Sequence, residues 1–244
     1  EDLKNNRNIV NNIRLWNQEP LKKTFSQLQE IRLYYEFDNV DVDRYMINGE
    51  MQQVMLSPRE MDITQLSSQA KTWINEHLIY THGYGACMTP VNKITPEGLP
   101  EFYIKDIPPV SNVEFNITRP EIYFGEKALP SNKNYFIVNT KQKEFDYPTG
   151  NTNAYTSYQG SGGIQLDSTL KKAVYSLYFS DIKILISSLI KPESRILYDH
   201  NVYTIAKKIL PFVYFDNDPY LVVTKEGRMV WMLDAYTYSN KYPY

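Results

Sequence analysis

Arg44-Tyr45-Met46-Ile47-Asn48-Gly49-Glu50-Met51-Gln52-Gln53-Val54-Met55-Leu56 is the stretch on which the reading of the fold turns. Arg44 to Ile47 and Met51 to Leu56 are β-prone runs. Asn48-Gly49 between them is the dipeptide best suited to a turn with positive φ at both central positions. An antiparallel hairpin is expected here. Upstream, residues 19 to 35 place Leu21, Phe25, Leu28 and Tyr35 on one helical face. Downstream, Ser57-Pro58-Arg59-Glu60 has the form of a capping box with proline at the first helical position. Leu66, Ala70, Trp73, Ile74 and His77 follow at helical spacing, and that helix is predicted to end near Gly83, where glycine can take the left-handed cap conformation.

Further out, seven prolines between residues 84 and 133 restrict the chain to short strands and fixed turns. Glu101 to Lys105, Glu121 to Phe124 and Tyr135 to Asn139 are the strand candidates. Residues 149 to 163, rich in Gly, Asn, Thr and Ser, predict a long loop. The last third reads as a helical trio. Leu170, Ala173, Val174, Leu177 and Tyr178 form one apolar stripe; Ile182, Leu185, Ile186, Leu189 and Ile190 form a second; Val202, Ile205, Ala206, Ile209 and Leu210 form a third. The second is apolar nearly all round and is expected to be the buried centre. A β-hairpin, Leu221 to Thr224 with Met229 to Leu233, closes the pattern, and its apolar faces predict a sheet covered on both sides. The fold class is α+β, with mixed helices and mostly antiparallel short strands. Residues 1–244 read as one globular domain without internal repeats.

Of the 244 residues, 42% are hydrophobic and 22% charged, an ordinary globular balance that needs no metal or disulfide for a core. Net charge is −2, and basic residues occur only as scattered pairs such as Lys171-Lys172, so no stripe exists for a phosphate backbone and nucleic acid is not expected as a partner. A spanning helix needs about 20 predominantly apolar residues; the most apolar stretch, Ala173 to Ile190, is broken by Asp181 and Lys183. The polar opening Glu1-Asp2-Leu3-Lys4 is no signal peptide. The lone Cys87 reads as a small buried side chain.

Candidate chemistry is sparse. The histidines His77, His82 and His200 make no zinc spacing, and no metal or cofactor is implied. His77 lies on an apolar helix face and reads as a core histidine. His82, in Tyr80-Thr81-His82-Gly83-Tyr84-Gly85, is placed to act as acid, base or hydrogen-bond donor, yet no Gly-x-Ser-x-Gly elbow supplies a nucleophile. Asp38, Asp41 and Asp43, like Asp216-Asn217-Asp218, miss the oxygen spacing of a calcium loop and read as turn and capping residues. Gly160-Ser161-Gly162-Gly163 lacks the lysine and spacing of a P-loop and reads as a flexible connection. Glu144 and Asp146 would share one strand face, the pairing glycosidic chemistry uses, or else form a polar strand end. Asp234 closes an apolar strand, as a partly buried carboxylate or as a cap. The 21 tyrosines suit sugar or protein contacts, or half-buried strand positions.

Asn12–Trp16, Asp41–Tyr45, Tyr80–Gly85, Thr95–Pro100, Arg119–Gly125, Asn139–Pro148, Pro192–Leu197 and Leu233–Thr237 together carry a resemblance. In these ordered segments, from near residue 9 to the last residue, the chain resembles uncharacterised protein family 0182. The resemblance implies several transmembrane helices ahead of residue 1, a fragment cut at both ends, and a place at the cell membrane on the extracytoplasmic side. It brings no established activity, cofactor or catalytic residue. The expected function is a binding or interaction module contacting an envelope ligand, a protein partner or its own membrane helices. Tyr80, His82, Tyr84, Glu144, Asp146 and Asp234 are its candidate site. The rival is a cell-envelope enzyme, a glycan or lipid hydrolase or transferase, using Glu144, Asp146 or Asp234 as acid and base. A purely structural cap over a transport path would instead show a broad exposed apolar patch.

Overall fold

The hairpin is the frame of the structure. In the computed structural model, which describes residues 5–130, 133–150, 152–239 and 241 (only the backbone of residues 7 and 8), Asp41–Ile47 pairs with Glu50–Pro58 from Asp41 opposite Leu56 to Ile47 opposite Glu50. The opening Glu1 to Lys4 lies outside the described residues, as does Asn151 of the predicted loop. Asn48 and Gly49 have φ of 51° and 76°, the left-handed pair that a two-residue turn between twisted strands requires. Nothing stands within 4 Å of where a Gly49 Cβ would be, so conformation rather than crowding selects glycine there.

Ala86–Pro90, Ile104–Lys105 and Val110–Ser111 extend the hairpin into a five-stranded sheet. Its period-two alternation divides the core. Val54, Leu56, Ala86 and Met88 face Leu221 and Val223 of the last apolar hairpin. Met55 and Cys87 face the other way, onto Leu21 and Phe25 of the helix Gln18–Gln29 and onto Phe37. A second sheet sets Arg195–Tyr198 between Tyr135–Val138 and Ile164–Gln165. Here Tyr135 and Ile137 face Leu78, Ile184 and Ile196, while Phe136 faces Tyr35, Tyr84 and Phe145. Among the described residues every pairing between strands is antiparallel, and only the isolated bridges Arg119 to Arg228 and Gly125 to Asn201 are parallel. The fold is α+β.

Several local expectations need correction. Ser57 and Pro58 end a strand instead of capping a helix, because the Ser57 hydroxyl donates to the Asn39 carbonyl and Glu60–Met61 pairs with Tyr35–Glu36. The first turn of helix-like structure is the 3₁₀ segment Ile63–Gln65, capped by Asp62. The helix expected from Leu66 begins only at Trp73, and Gly83–Tyr84 is a strand rather than a helix cap. A Cβ at Gly83 would lie 2.3 Å from the Arg59 carbonyl oxygen, so close backbone approach is what glycine permits there. Tyr35 leaves the helical stripe for a strand, and Leu28 is exposed. Thr152–Thr156 forms a strand paired with Glu144–Thr149, which shortens the predicted loop to residues 157–163. The predicted centre of the helical trio is only the turn Lys183–Ile186, with Ile182 58% and Ile186 69% exposed. The last hairpin, Tyr220–Val223 with Met229–Met232, buries one face only, Met232 being exposed.

Arg59 ties these parts together. It is fully buried. Its Nε donates to the Gln29 carbonyl at 2.8 Å and one terminal nitrogen to the Tyr84 carbonyl at 2.9 Å. The other terminal nitrogen reaches Gln29 Oε1 and Cys87 Sγ, both at 3.4 Å. The guanidinium stands 5.3 Å from the Phe37 ring centre. Arg59→Ala would leave two buried carbonyls without donors and open a cavity. We expect it to lower the unfolding free energy in urea by about 3 to 5 kcal/mol. Arg59→Lys is expected to recover only part, because an ammonium lacks the planar fork that serves separate acceptors at once.

Candidate functional site

Three segments build the site. Gly83 and Tyr84 pair with Ile122 and Glu121, which sets Thr81-His82 beside Tyr123, and Glu144–Thr149 lies against both. Glu144 is buried and accepts four hydrogen bonds. Oε2 takes the Thr81 hydroxyl at 2.8 Å and the Tyr123 hydroxyl at 2.9 Å; Oε1 takes the backbone N–H of Tyr158 at 2.9 Å and of Asn139 at 3.4 Å. Such a carboxylate organises its surroundings. Burial, and then the Glu144 charge, push the Tyr123 hydroxyl well above the usual phenol range. Asp146 Oδ1 is buried without a partner. Burial raises its carboxyl, His82 opposes the shift, and Glu121 and Glu144 add to it.

Five of the six candidate residues therefore meet. His82 packs 4.9 Å from Tyr123 and 6.5 Å from Tyr84, ring centre to ring centre. Tyr84 packs on Tyr147 and Tyr80 on Phe145, each at 5.0 Å. Asp234 takes no part: it is exposed, at the end of a strand beside Tyr220. His77 is a core residue, with Nδ1 2.9 Å from the Tyr135 carbonyl and its ring stacked on Tyr135 at 4.0 Å. Tyr123, Tyr158 and Trp231 were not among the sequence candidates, yet they line an open cleft of about 240 Å³ with Glu121, Phe124 and Met229. The sequence places Tyr123 and Phe124 in a strand and Trp231 in a hairpin, and nothing in the period distinguishes a strand aromatic facing a cleft from one facing the core.

The glycine-rich loop has the polarity opposite to a phosphate cradle. The carbonyls of Ser161, Gly162 and Gly163 point at the Arg195 guanidinium and accept from it at 2.7, 2.6 and 2.9 Å. The two acidic strings come together, with Asn39 Nδ2 donating to Asp218 Oδ1 at 2.8 Å. Among the described residues no group of three His, Cys, Asp or Glu is placed to hold a metal ion. Burial raises Asp41 to about 7 and Glu126 to about 8; Asp218 and Asp43 add to the first shift, and Asp41, Glu60, Asp218 and Asp38 to the second.

The model of the uncharacterised protein family UPF0182 matches residues 1–244. The chain is 50% identical over 244 residues to a UPF0182 protein of Desulforamulus reducens, covering 100% of this chain and 26% of that protein. It is 54% identical over 243 residues to a UPF0182 protein of Trichlorobacter lovleyi, covering 100% and 27%. It is 47% identical over 244 residues to a UPF0182 protein of Sulfurovum, covering 100% and 26%. The chain thus spans about a quarter of the length of these curated relatives. No solved structure matches it.

Two outcomes follow from the site's electrostatics. Glu144→Ala strands four donors, and unfolding in urea should show a loss of about 3 to 5 kcal/mol. The pH dependence is set by raised carboxyls. Asp41, with an ordinary value of 3.8, and Glu126, with 4.5, hold protons when folded that the unfolded chain has released. Their stabilisation is complete below those values and is lost as pH rises through about 7 and about 8. His200, lowered from 6.5 to about 4 by burial, has the opposite sign and contributes a constant amount above 6.5. The melting temperature should therefore fall between about pH 4.5 and 8, most steeply just above 6.5 where His200 no longer opposes the fall, and level off above about 8. Asp41→Asn with Glu126→Gln should flatten that fall in calorimetry.

Proposed function

Since the chain belongs to the uncharacterised protein family UPF0182 and spans about a quarter of its curated relatives, we propose that it is the extracytoplasmic domain of a larger membrane protein, working as a binding and interaction module. The observation that carries the reading is the contrast across Tyr123. On one side Glu144 is saturated by four donors; on the other Tyr123, Phe124, Tyr158 and Trp231 wall an open cleft. Catalysis by paired carboxylates needs two acids turned toward the substrate across a cleft. Glu144 is turned inward and Asp234 is remote, which weighs against an envelope hydrolase or transferase. Aromatic walls with a few fixed polar groups suit a neutral ligand with a flat apolar face, such as a sugar ring of an envelope glycan. The Arg119–Glu121 pair, 3.3 Å apart, supplies polar partners for its hydroxyls.

A second surface supports the interaction half of the proposal. Leu170, Leu177 and Tyr178 of the helix Thr169–Tyr178 are 75, 80 and 64% exposed, and Ile182 and Ile186 continue the face on the next turn. Lone exposed apolar residues are ordinary; a contiguous face marks a contact. Its occupant in this reading is the remaining three-quarters of the polypeptide, including the anchoring helices. Among the described residues no helix is long and apolar enough to cross a membrane.

The ligand reading is tested by NMR titration with neutral amino-sugar oligomers, following the Trp231 indole N–H. Shifts are expected at Trp231 and around Tyr123, and Trp231→Ala should weaken binding at least tenfold, about 1.4 kcal/mol. Unmoved cleft signals at millimolar ligand would remove it. For the docking face, Leu177→Asp with Ile186→Asp should change the isolated domain's stability by no more than about 0.5 kcal/mol. In the full-length protein the pair should expose the domain to protease; an unchanged digestion pattern would sink the assignment.

A further inference from the structure

His82 and His200 come from distant parts of the chain and line the same small cavity, of about 20 Å³, together with Thr81, Tyr123, Gly125 and Phe136. Both rings are buried, at 1% and 4% exposure. His82 Nδ1 lies 3.0 Å from the Gly83 carbonyl oxygen, and His200 Nδ1 lies 2.9 Å from the Tyr123 carbonyl oxygen. A carbonyl oxygen can only accept, so in each neutral ring the proton sits on Nδ1. The other nitrogen, Nε2, is then a bare acceptor. Neither Nε2 has a hydrogen-bond partner in the protein. Both buried imidazoles line one space and each has a partnerless Nε2, so a group in that space that satisfies both must donate twice.

We infer that this cavity is a binding site for a single water molecule donating one hydrogen bond to His82 Nε2 and one to His200 Nε2. Its size suits one water, which needs about 10 to 15 Å³ of such space and two to four polar partners. The other polar groups nearby are engaged elsewhere. The Thr81 hydroxyl donates to Glu144, and the Glu60 carboxylate accepts the N–H of Glu126 at 2.9 Å and of Lys127 at 3.2 Å. A metal ion would need a third ligand, and among the described residues no group of three is placed to hold one. The water joins two segments distant in the chain: His82, just ahead of the strand Gly83–Tyr84, and the turn at His200, whose carbonyl accepts the Gly125 N–H at 2.9 Å. It is thereby a fixed part of the wall behind the aromatic cleft.

The test is NMR of the chain with ¹⁵N-labelled histidine. Long-range proton–nitrogen correlations report the tautomer, and cross-relaxation of ring protons with water reports a long-lived hydration site. The expected result is the Nδ1–H tautomer in both rings, each Nε2 shifted as a hydrogen-bonded acceptor, and a water cross-peak on both. His200→Phe should abolish the water cross-peak at His82 while His82 keeps its proton on Nδ1. An Nε2–H tautomer in either ring would overturn the inference. So would rings of the expected tautomer with no water cross-peak, or an Nε2 shift that moves on treatment with a chelator. Should His200→Phe fail to fold, the wild-type spectrum decides by itself. The ligand reading of the neighbouring cleft stands or falls separately.

Discussion

One buried cation holds the parts of this structure in register. Arg59 lies in the core with its hydrogen bonds going to carbonyls, an amide oxygen and a thiol. Taking a guanidinium out of water costs several kcal/mol, so its neutral partners must all be well placed. The Gln29 carbonyl belongs to the last residue of the helix Gln18–Gln29, the end at which a helix dipole favours positive charge. The Tyr84 carbonyl belongs to the strand Gly83–Tyr84, which follows directly on His82. Arg59 also pairs by its backbone: its N–H donates to the Gly85 carbonyl and its carbonyl accepts the Tyr84 N–H. One residue thus fixes the helix, the central sheet and the site segment to each other.

The site inherits its character from that rigidity. With Thr81 and Tyr123 held in place, Glu144 receives donors on both oxygens and is fixed inside the wall. The same Tyr123 packs edge-to-face against Tyr158 at 4.9 Å and thereby shapes the open cleft. Glu121 to Gly125 runs past three spaces at once: the small cavity between the histidines, the aromatic cleft, and a groove of about 420 Å³ beside Leu197 and Ile209. Phe124 lines all three. On its outer side this segment walls the open cleft, and on its inner side Tyr123 donates to Glu144.

The helical corner obeys a different constraint. Its sequence carries more apolar surface than the three-stranded sheet can cover. Ile184, Ile190 and Ile196 are buried, and Leu177, Ile186 and Ile209 remain outside. Amphipathic periodicity is satisfied locally and left over globally, in a chain that spans about a quarter of the length of its curated relatives.

Neighbours along the chain suffice to read the Asn48-Gly49 turn, the helical stripe from Leu170 to Tyr178, the burial of Cys87 and His77, and the α+β class. The sequence also placed the Tyr80–Gly85 and Glu144–Asp146 segments among the candidates, because their residue types are unusual in pattern. It misread Ser57-Pro58-Arg59-Glu60, since a capping box and a strand followed by a buried arginine share the same letters until the long-range acceptors Gln29 and Tyr84 are known. Only the tertiary structure decided which apolar stripe is covered, which carboxylate is saturated, that Asp234 stands apart, and that His82 and His200 share a cavity. Those outcomes depend on contacts across tens to more than a hundred residues, and side-chain periodicity along a single strand or helix carries no information about what the chain brings to its other side.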